Sequence, residues 1–223
     1  HCFQQEKPEE FLKPIDSRLN GAIMKAYQDK RFDGKPNKTL LLSSRGLLKA
    51  DHVLLVGIGK KDELVEDKIT QASGTAAKLA EKSGFKTISS YLRSALAVPN
   101  QKAICIARSI AEGMYLALYR FDVYKSKKDE NGGRVEEIIL LAPEKKGMSA
   151  FRQGIDDARA IAGAVWLARD LAAHPGNKAT PAYLANTAKD VAKKHKITCK
   201  ILEADAMKKL GMGLLLGVAR GSH

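Results

Sequence analysis

The chain has 223 residues, a formal net charge of +13 and a hydrophobic fraction of 44%, with aromatic residues at only 6%. These values predict a core built from aliphatic side chains. The basic excess permits contact with nucleic acid or an anionic surface but specifies neither. It is also spread along the chain, because residues 1–145 carry +6 (25 Lys and Arg against 19 Asp and Glu) and residues 146–223 carry +7 (13 against 6). A dedicated nucleic-acid-binding block is therefore disfavoured.

Cysteine usage and hydropathy indicate a location in the cytoplasm. Cys2, Cys105 and Cys199 are odd in number and form no CxxC pair, so we expect neither a disulfide framework nor a cysteine zinc site. No apolar run approaches the roughly 20 residues that span a bilayer. The first residues also lack the basic and apolar regions of a signal peptide. We therefore predict a cytoplasmic protein without membrane association.

The first 92 residues alternate between patterns of helices and strands. The run 52–58 is almost continuously apolar, as in a central strand that is covered on both faces. The predicted elements are a helix over 15–30, a strand over 39–42, a hairpin-like connection around Gly46, the strand over 52–58, a helix over 67–83 ended by Gly84, and a strand over 86–92.

A glycine turn over residues 57–63 follows the central strand. Such a turn between a strand and a helix is a place where phosphates bind. The spacing matches neither GxxxxGK[ST] nor GxGxxG, so the signal is weak. We favour the simpler interpretation, a strand-to-helix turn with a solvated pair of lysines, Lys60 and Lys61.

The next segment continues the alternation and then changes character. We predict a helix over 100–118, a charged loop over 120–133 and a strand over 135–141, which together indicate an α/β layered domain with a mainly parallel or mixed sheet. A helix from about 150 to 173, with Ser149 as its N-cap, would then be roughly 35 Å long. A helix of that length indicates a connector between two domains, and we assign Trp166 on its apolar face to core packing.

The last fifty residues predict the beginning of a second domain. Thr180 is the expected N-cap of a helix with Pro181 at its first position, running to about Lys194. We then predict a strand over 197–202, a short helix over 204–210 closed by Gly211, and a strand or extended segment over 214–219. That apolar end has no sheet after it, so we expect the chain to be the front part of a larger protein whose chemistry lies beyond the last residue.

The junction between the connector helix and the predicted second domain carries a set of residues typical of one family: Arg169, Asp170, Leu171, Pro175, Asn177, Thr180, Pro181, Tyr183, Leu184, 210–213, Gly217, Val218, Gly221 and Ser222. They resemble the leucyl aminopeptidase family, also called the cytosol aminopeptidase family. Earlier segments agree, because residues 32–35, the apolar run from Thr39 and residues 53–61 resemble its N-terminal domain, and Cys2-Phe3 resembles the end of its first strand. Ala173-His174 departs from a polar pair common in the family.

The resemblance implies a fold and an activity. The fold would be a three-layer, macro-domain-like mixed sheet flanked by helices over 1–145, an interdomain connector helix over 146–173, and the truncated start of an α/β catalytic domain over 174–223. The full-length protein would release N-terminal amino acids from peptides, with preference for leucine-like side chains. The family assembles as a homohexamer and uses two divalent metal ions, Mn or Zn, that activate a water for attack on the scissile carbonyl.

The same resemblance implies that the catalytic residues lie outside this chain. The family supplies them from motifs resembling GKGxTFDSGG and NTDAEGR, and neither occurs here. Asp156 and Asp157 are adjacent on a helix, so their side chains point about 100° apart. The histidines at 1, 52, 174, 195 and 223 show no i, i+4 metal spacing. We therefore assign no catalytic, metal or substrate-binding residue to this chain, and we predict that it has no peptidase activity by itself.

Two hypotheses remain for the chain itself. In the first, it is the structural and assembly part of a metalloaminopeptidase. In the second, it is a stand-alone macro-like binding module for nucleic acid or nucleotide; residues 20–23 resemble a phosphate-loop helix start, and in some family members this domain contacts DNA. The tail over 180–222 favours the first, since Leu214, Leu215 and Leu216 would have no partners in a free module.

Overall fold

A computed structural model describes residues 1–91, 102–126, 133–142 and 148–221. The predicted α/β class is confirmed, and two compact units, His1–Ala168 and Arg169–His223, are each described by themselves. In chain order the strands and α-helices are β1 (Cys2–Phe3), α1 (Lys13–Arg18), α2 (Ala22–Gln28), β2 (Thr39–Ser43), β3 (His52–Gly59), α3 (Glu66–Lys82), β4 (Thr87–Tyr91), α4 (Ala103–Ala117), β5 (Glu137–Leu141), α5 (Met148–Ala173), α6 (Pro181–His195), α7 (Ala204–Lys209) and α8 (Gly213–Ala219).

Strand β3 is the centre of the first unit. It pairs antiparallel with β2 and parallel with β1, so the predicted mixed sheet is confirmed. Because side chains alternate along a strand, Val56 and Ile58 enter a cluster with α3, α4 and α5, whereas Leu55 enters a cluster with α1 and α2. Helices therefore cover both faces of the buried part of β3, as its apolar run predicts. The hairpin-like connection around Gly46 is also present, with the Ser44 amide donating to the Asp51 carbonyl at 2.8 Å.

The helix predicted over 15–30 is wrong in one respect, because the chain breaks it into α1 and α2. Asn20 and Gly21 adopt left-handed backbone conformations, with φ of 53° and 75°. An Asn-Gly pair tolerates such angles better than other residues do, and it is a turn signal that the apolar spacing concealed. The Asp16 carboxylate accepts hydrogen bonds from the first amides of α2, those of Ile23 at 2.7 Å and Met24 at 3.3 Å.

Substitution of Asp16 by alanine is expected to lower the free energy of unfolding by about 1 kcal/mol, since it removes the acceptor that caps α2. Chemical denaturation followed by circular dichroism measures this loss. Asp16→Asn keeps an acceptor oxygen and should recover most of it. Unchanged stability in Asp16→Ala would show that the carboxylate does not act as a cap.

Close approach of helices in the first unit depends on glycine. A β-carbon at Gly113 of α4 would lie 2.1 Å from the carbonyl oxygen of Thr70 in α3. One at Gly154 of α5 would lie 2.3 Å from the carbonyl oxygen of Ile104 in α4. These contacts bring three helices into backbone contact on one side of β3. The long helix is confirmed as α5, but it includes Ser149, so the prediction of Ser149 as the N-cap is wrong.

The single sheet of the sequence prediction is divided in the structure. Strands β1, β3 and β2 form one sheet in that order, and β4 pairs parallel with β5 in a second sheet. Both sheets border a cavity of about 400 Å³. Leu92 and residues 100–101, 127–132 and 146–147, which also belong to predicted elements, lie outside the described residues.

The second unit contains α6, α7 and α8. Thr180 caps α6 as predicted, accepting a hydrogen bond from the Tyr183 amide at 3.2 Å, with Pro181 at the first position. The strand predicted over 197–202 is wrong, because this segment has no ladder partner among the described residues and is irregular. The strand or extended segment predicted over 214–219 is also wrong, because these residues form α8. In α8, Leu214 is 91% and Val218 83% exposed.

No helix in the described part of the chain combines the length and the apolarity needed to cross a membrane. The predicted domain boundaries after residues 145 and 173 stay predictions.

Candidate functional site

A polar pocket lies where β1 and β3 end, which is the edge of a parallel pair where α/β proteins commonly bind ligands. Its volume is about 620 Å³. It borders the glycine turn after β3, the first place where the sequence suggested phosphate binding. The residues that line it are Gln4, Gln5, Glu6, Tyr27, Gln28, Lys30, Phe32, Asp33, Lys35 and Lys60.

The backbone of the glycine turn is already engaged. The Gly57 amide donates to the Lys38 carbonyl at 2.8 Å, and the Gly59 amide donates to the Gly34 carbonyl at 3.0 Å. Gly34 itself lies so close to β1 that a β-carbon there would stand 2.0 Å from the Phe3 carbonyl oxygen. A phosphate cradle needs backbone amides that point at the ligand without an internal partner. Because the carbonyl groups of Gly34 and Lys38 accept hydrogen bonds from these amides, the geometry favours the simpler interpretation, a strand-to-helix turn without a bound phosphate.

The lysines at this edge are paired with carboxylates. Lys60 and Lys68 lie 3.1 Å and 3.2 Å from Glu63, and both hydrogen bonds lower the pKa of Glu63, that from Lys60 most. Lys35 and Lys38 lie 3.2 Å and 3.3 Å from Asp33. Burial acts to raise the pKa of Asp33, but hydrogen bonds from these two lysines outweigh it and hold the pKa below its usual range. These four lysines thus each have a carboxylate partner within the protein, although two lysines share each carboxylate.

The second suggested phosphate site, residues 20–23, is occupied by the protein itself. The amides of Ile23 and Met24 at the start of α2 already donate to Asp16. A carboxylate in this position supplies the negative charge that a phosphate would otherwise bring to the helix start. The resemblance to a phosphate loop therefore has no counterpart in the geometry.

Cys2 and Tyr27 are the buried titratable groups near the pocket. Burial, the largest cause, raises the pKa of the Cys2 thiol and of the Tyr27 hydroxyl. Both groups are therefore neutral near pH 7. The Tyr27 oxygen has no hydrogen-bond partner of ordinary geometry among the described residues. A buried neutral thiol is a poor nucleophile, so this pair contributes packing rather than chemistry.

The described residues do not form a metal centre. No group of three or more His, Cys, Asp or Glu side chains in the described ranges is placed to hold an ion. Asp156 pairs with Arg159 at 3.0 Å, whereas Asp157 accepts from Gln153 at 2.8 Å, so the two adjacent carboxylates face different neighbours. A two-metal site needs several such oxygens that converge. The residues described here do not fit it.

Histidines likewise serve separate local contacts. His1 Nε2 lies 3.0 Å from Ser73 Oγ, and the His52 ring stacks at 4.6 Å on Phe85. In the second unit, His174 lies edge-on to Tyr183, with its Nε2 3.4 Å from the tyrosine hydroxyl. His174, which departs from the family pattern, thus contacts Tyr183 of α6 across the turn before that helix.

Comparison with known proteins decides the family. Residues 1–128 match the model of the cytosol aminopeptidase family, N-terminal domain, and residues 166–223 match that of the same family's catalytic domain. The chain belongs to the cytosol aminopeptidase family. The resemblance found in the sequence is therefore confirmed.

Curated relatives in the family extend well beyond the matched region. A probable cytosol aminopeptidase of a Geobacter species is 37% identical over 221 residues, which cover 99% of this chain and 44% of the relative. A protein of the same description from Nitrosococcus oceani is 36% identical, again over 99% of this chain and 44% of the relative. The chain thus spans less than half the length of the curated relatives it matches.

Solved structures agree with the fold. A variant of tomato leucine aminopeptidase aligns with a TM-score of 0.77 and 25% identity over 95% of this chain and 41% of its own. The bottromycin maturation enzyme BotP, in complex with Mn, aligns with a TM-score of 0.67 and 27% identity over 83% of this chain and 37% of its own.

Proposed function

We propose that the full-length protein is a metal-dependent aminopeptidase that releases N-terminal amino acids from peptides, with preference for leucine-like side chains. The observation that carries this proposal is the match of residues 166–223 to a catalytic domain, joined in one chain to a matched N-terminal domain. The names of the relatives support it. Paired lysines and engaged backbone amides leave the stand-alone module for nucleic acid or nucleotide without support.

We propose two divalent metal ions, Mn or Zn, as the cofactors of the full-length protein. The similarity to an enzyme in complex with Mn supports a divalent ion. Since the described residues hold no metal cluster, the ligands would come from the part of the catalytic domain that this chain does not contain. This chain then acts in structure and assembly, in a protein that we propose to be a cytoplasmic homohexamer with a macro-like N-terminal domain.

Hydrolysis of leucine p-nitroanilide tests whether the full-length protein has the proposed activity and whether this chain lacks it. The 223-residue chain and the full-length protein are compared at equal concentration with added Mn²⁺ or Zn²⁺. We expect turnover by the full-length protein and loss of that turnover with a chelator. The short chain should release no more p-nitroaniline than a blank that contains the metal ion alone. Circular dichroism of both proteins checks that the short chain is folded.

Each other outcome has a definite meaning. Metal-dependent turnover by the short chain would show that its own residues form a site that the geometry does not reveal. An inactive but folded full-length protein would contradict the proposed activity and leave only family membership.

A further inference from the structure

The polar pocket beyond β1 and β3 is built on a fixed frame. Its volume of about 620 Å³ lies in the usual range for small-molecule sites. Phe32 in its wall is fully buried and packs edge-on against Tyr27, with ring centroids 5.4 Å apart. The Gln4 amide donates to the Gly59 carbonyl at 2.8 Å and holds the segment after β1 against β3. The pocket is therefore formed before any ligand binds.

One cation and one anion in this pocket are not used by internal ion pairs. Two of the three lysines that line it contact carboxylates, as described above. The third, Lys30, and the carboxylate of Glu6 form no ion pair and no side-chain hydrogen bond with described residues. Lys30 follows the end of α2 and Glu6 follows β1, so the two charges come from different segments. The pocket thus offers a ligand two single charges of opposite sign.

Neutral polar side chains complete the lining. The side-chain amides of Gln4, Gln5 and Gln28 have no hydrogen-bond partner among the described residues. Each of these amides offers donors as well as an acceptor. A phosphate suits this lining poorly, because the backbone amides beside it are engaged and the Glu6 carboxylate would repel it. A ligand with one carboxylate and one ammonium group finds a partner for each charge.

We propose that this pocket binds a free amino acid, with the carboxylate of the ligand at Lys30 and its ammonium group at Glu6. The glutamine amides then contact the polar atoms of the ligand that these two residues leave unpaired. The volume of the pocket leaves room for the side chain of the ligand as well. The proposal does not rest on the proposed peptidase activity, because it uses only side chains of the first unit.

Calorimetric titration of the full-length protein with each of the protein amino acids, one at a time, tests the proposal. We expect at least one of them to bind with a Kd below about 1 mM. Its N-acetyl derivative lacks the ammonium charge and its α-carboxamide lacks the carboxylate, so both should bind at least about tenfold more weakly. A chelator is present throughout, because an α-carboxamide would be a substrate of the proposed peptidase. The proposal is overturned if no amino acid binds below this Kd, or if the derivatives bind equally well.

Charge-neutral variants locate the site and the orientation of the ligand. Lys30→Gln should weaken binding of the amino acid about tenfold and abolish the preference for it over the α-carboxamide. Glu6→Gln should weaken binding by a similar factor and abolish the preference over the N-acetyl derivative. Lys82→Gln, at an exposed lysine of α3 outside the pocket, is the matched control and should bind as the unmodified protein does.

Circular dichroism checks that the three variants are folded. Unchanged binding in both pocket variants would overturn the proposal, because the amino acid would then bind elsewhere in the full-length protein. Loss of binding in Lys82→Gln as well would also overturn it, since the effect would then follow net charge rather than the pocket.

Discussion

Substitution of Gly113 by alanine is expected to lower the free energy of unfolding of the first unit by about 3 kcal/mol, the upper end of the usual cost of overpacking. The added β-carbon would lie 2.1 Å from the oxygen and 2.9 Å from the carbon of the Thr70 carbonyl. Both are backbone atoms of α3, so no side-chain rotation relieves the contact. Helices α3 and α4 would have to separate, and the contacts of Ile69 and Ile110 in the main cluster would loosen.

A matched glycine on a neighbouring helix provides the control. Gly163 lies inside α5, and a β-carbon there would meet nothing within 4 Å. Alanine at this position should raise the free energy of unfolding by about 0.5–1 kcal/mol, because it favours the helix and restricts the unfolded chain. Urea denaturation followed by the fluorescence of Trp166, the single tryptophan, measures both variants. Equal changes in the two would show that the contact with Thr70 does not limit the packing.

Elements with local signals could be predicted from the sequence. Gly84 adopts a φ of 78° just after α3, as a residue that ends a helix does, and Thr180 with Pro181 begins α6. The apolar run of β3 needed no knowledge of its neighbours, because a continuous run of branched side chains already indicates burial on both faces. These features depend on chemistry within a few residues of each other. They are therefore readable before the fold is known.

Elements that depend on distant partners could not be predicted in this way. Residues 197–202 have the composition of a strand, but a strand is stable only when its backbone groups pair. Residues 214–219 form a short apolar run, which by itself does not distinguish a strand from a buried helix. Both wrong strand predictions thus fall in the second unit, where large apolar side chains such as Leu214 are exposed.

For the candidate site, the sequence supplied the motif and the structure supplied the partners. The glycines and lysines after β3 suggested an anion site, but Asp33 and Glu63, which form ion pairs with lysines at this edge, are identified only by distance. The absence of the family's metal motifs could be seen in the sequence directly. The cavity of about 400 Å³ that borders both sheets could not be seen there, since it depends on how far apart β3 and β4 lie. Pairing across the sheet is a long-range property that periodicity does not encode.

Substitution of Arg120 by alanine is expected to lower the free energy of unfolding by about 3 kcal/mol, because it leaves a mostly buried carboxylate without its main partner. The side chain of Glu81 on α3 is only 10% exposed, and Arg120 Nε donates to it at 3.0 Å. The same guanidinium donates to the Gly133 carbonyl at 3.2 Å. Through these hydrogen bonds, Arg120 links the segment after α4 both to α3 and to the segment before β5. Lys78 remains 3.3 Å from Glu81, but from an exposed position.

A second arginine–carboxylate pair with the same N···O distance separates the effect of burial from the effect of charge. Arg159 lies 3.0 Å from Asp156 on α5, but both side chains are more than half exposed. Alanine at 159 should change the free energy of unfolding by less than about 0.5 kcal/mol, since solvent screens an exposed pair. If the two arginine variants lose the same stability, burial of Glu81 does not determine how far the free energy of unfolding falls. The double variant Glu81→Leu with Arg120→Met should be more stable than Arg120→Ala alone, because it removes the unpaired carboxylate along with its partner.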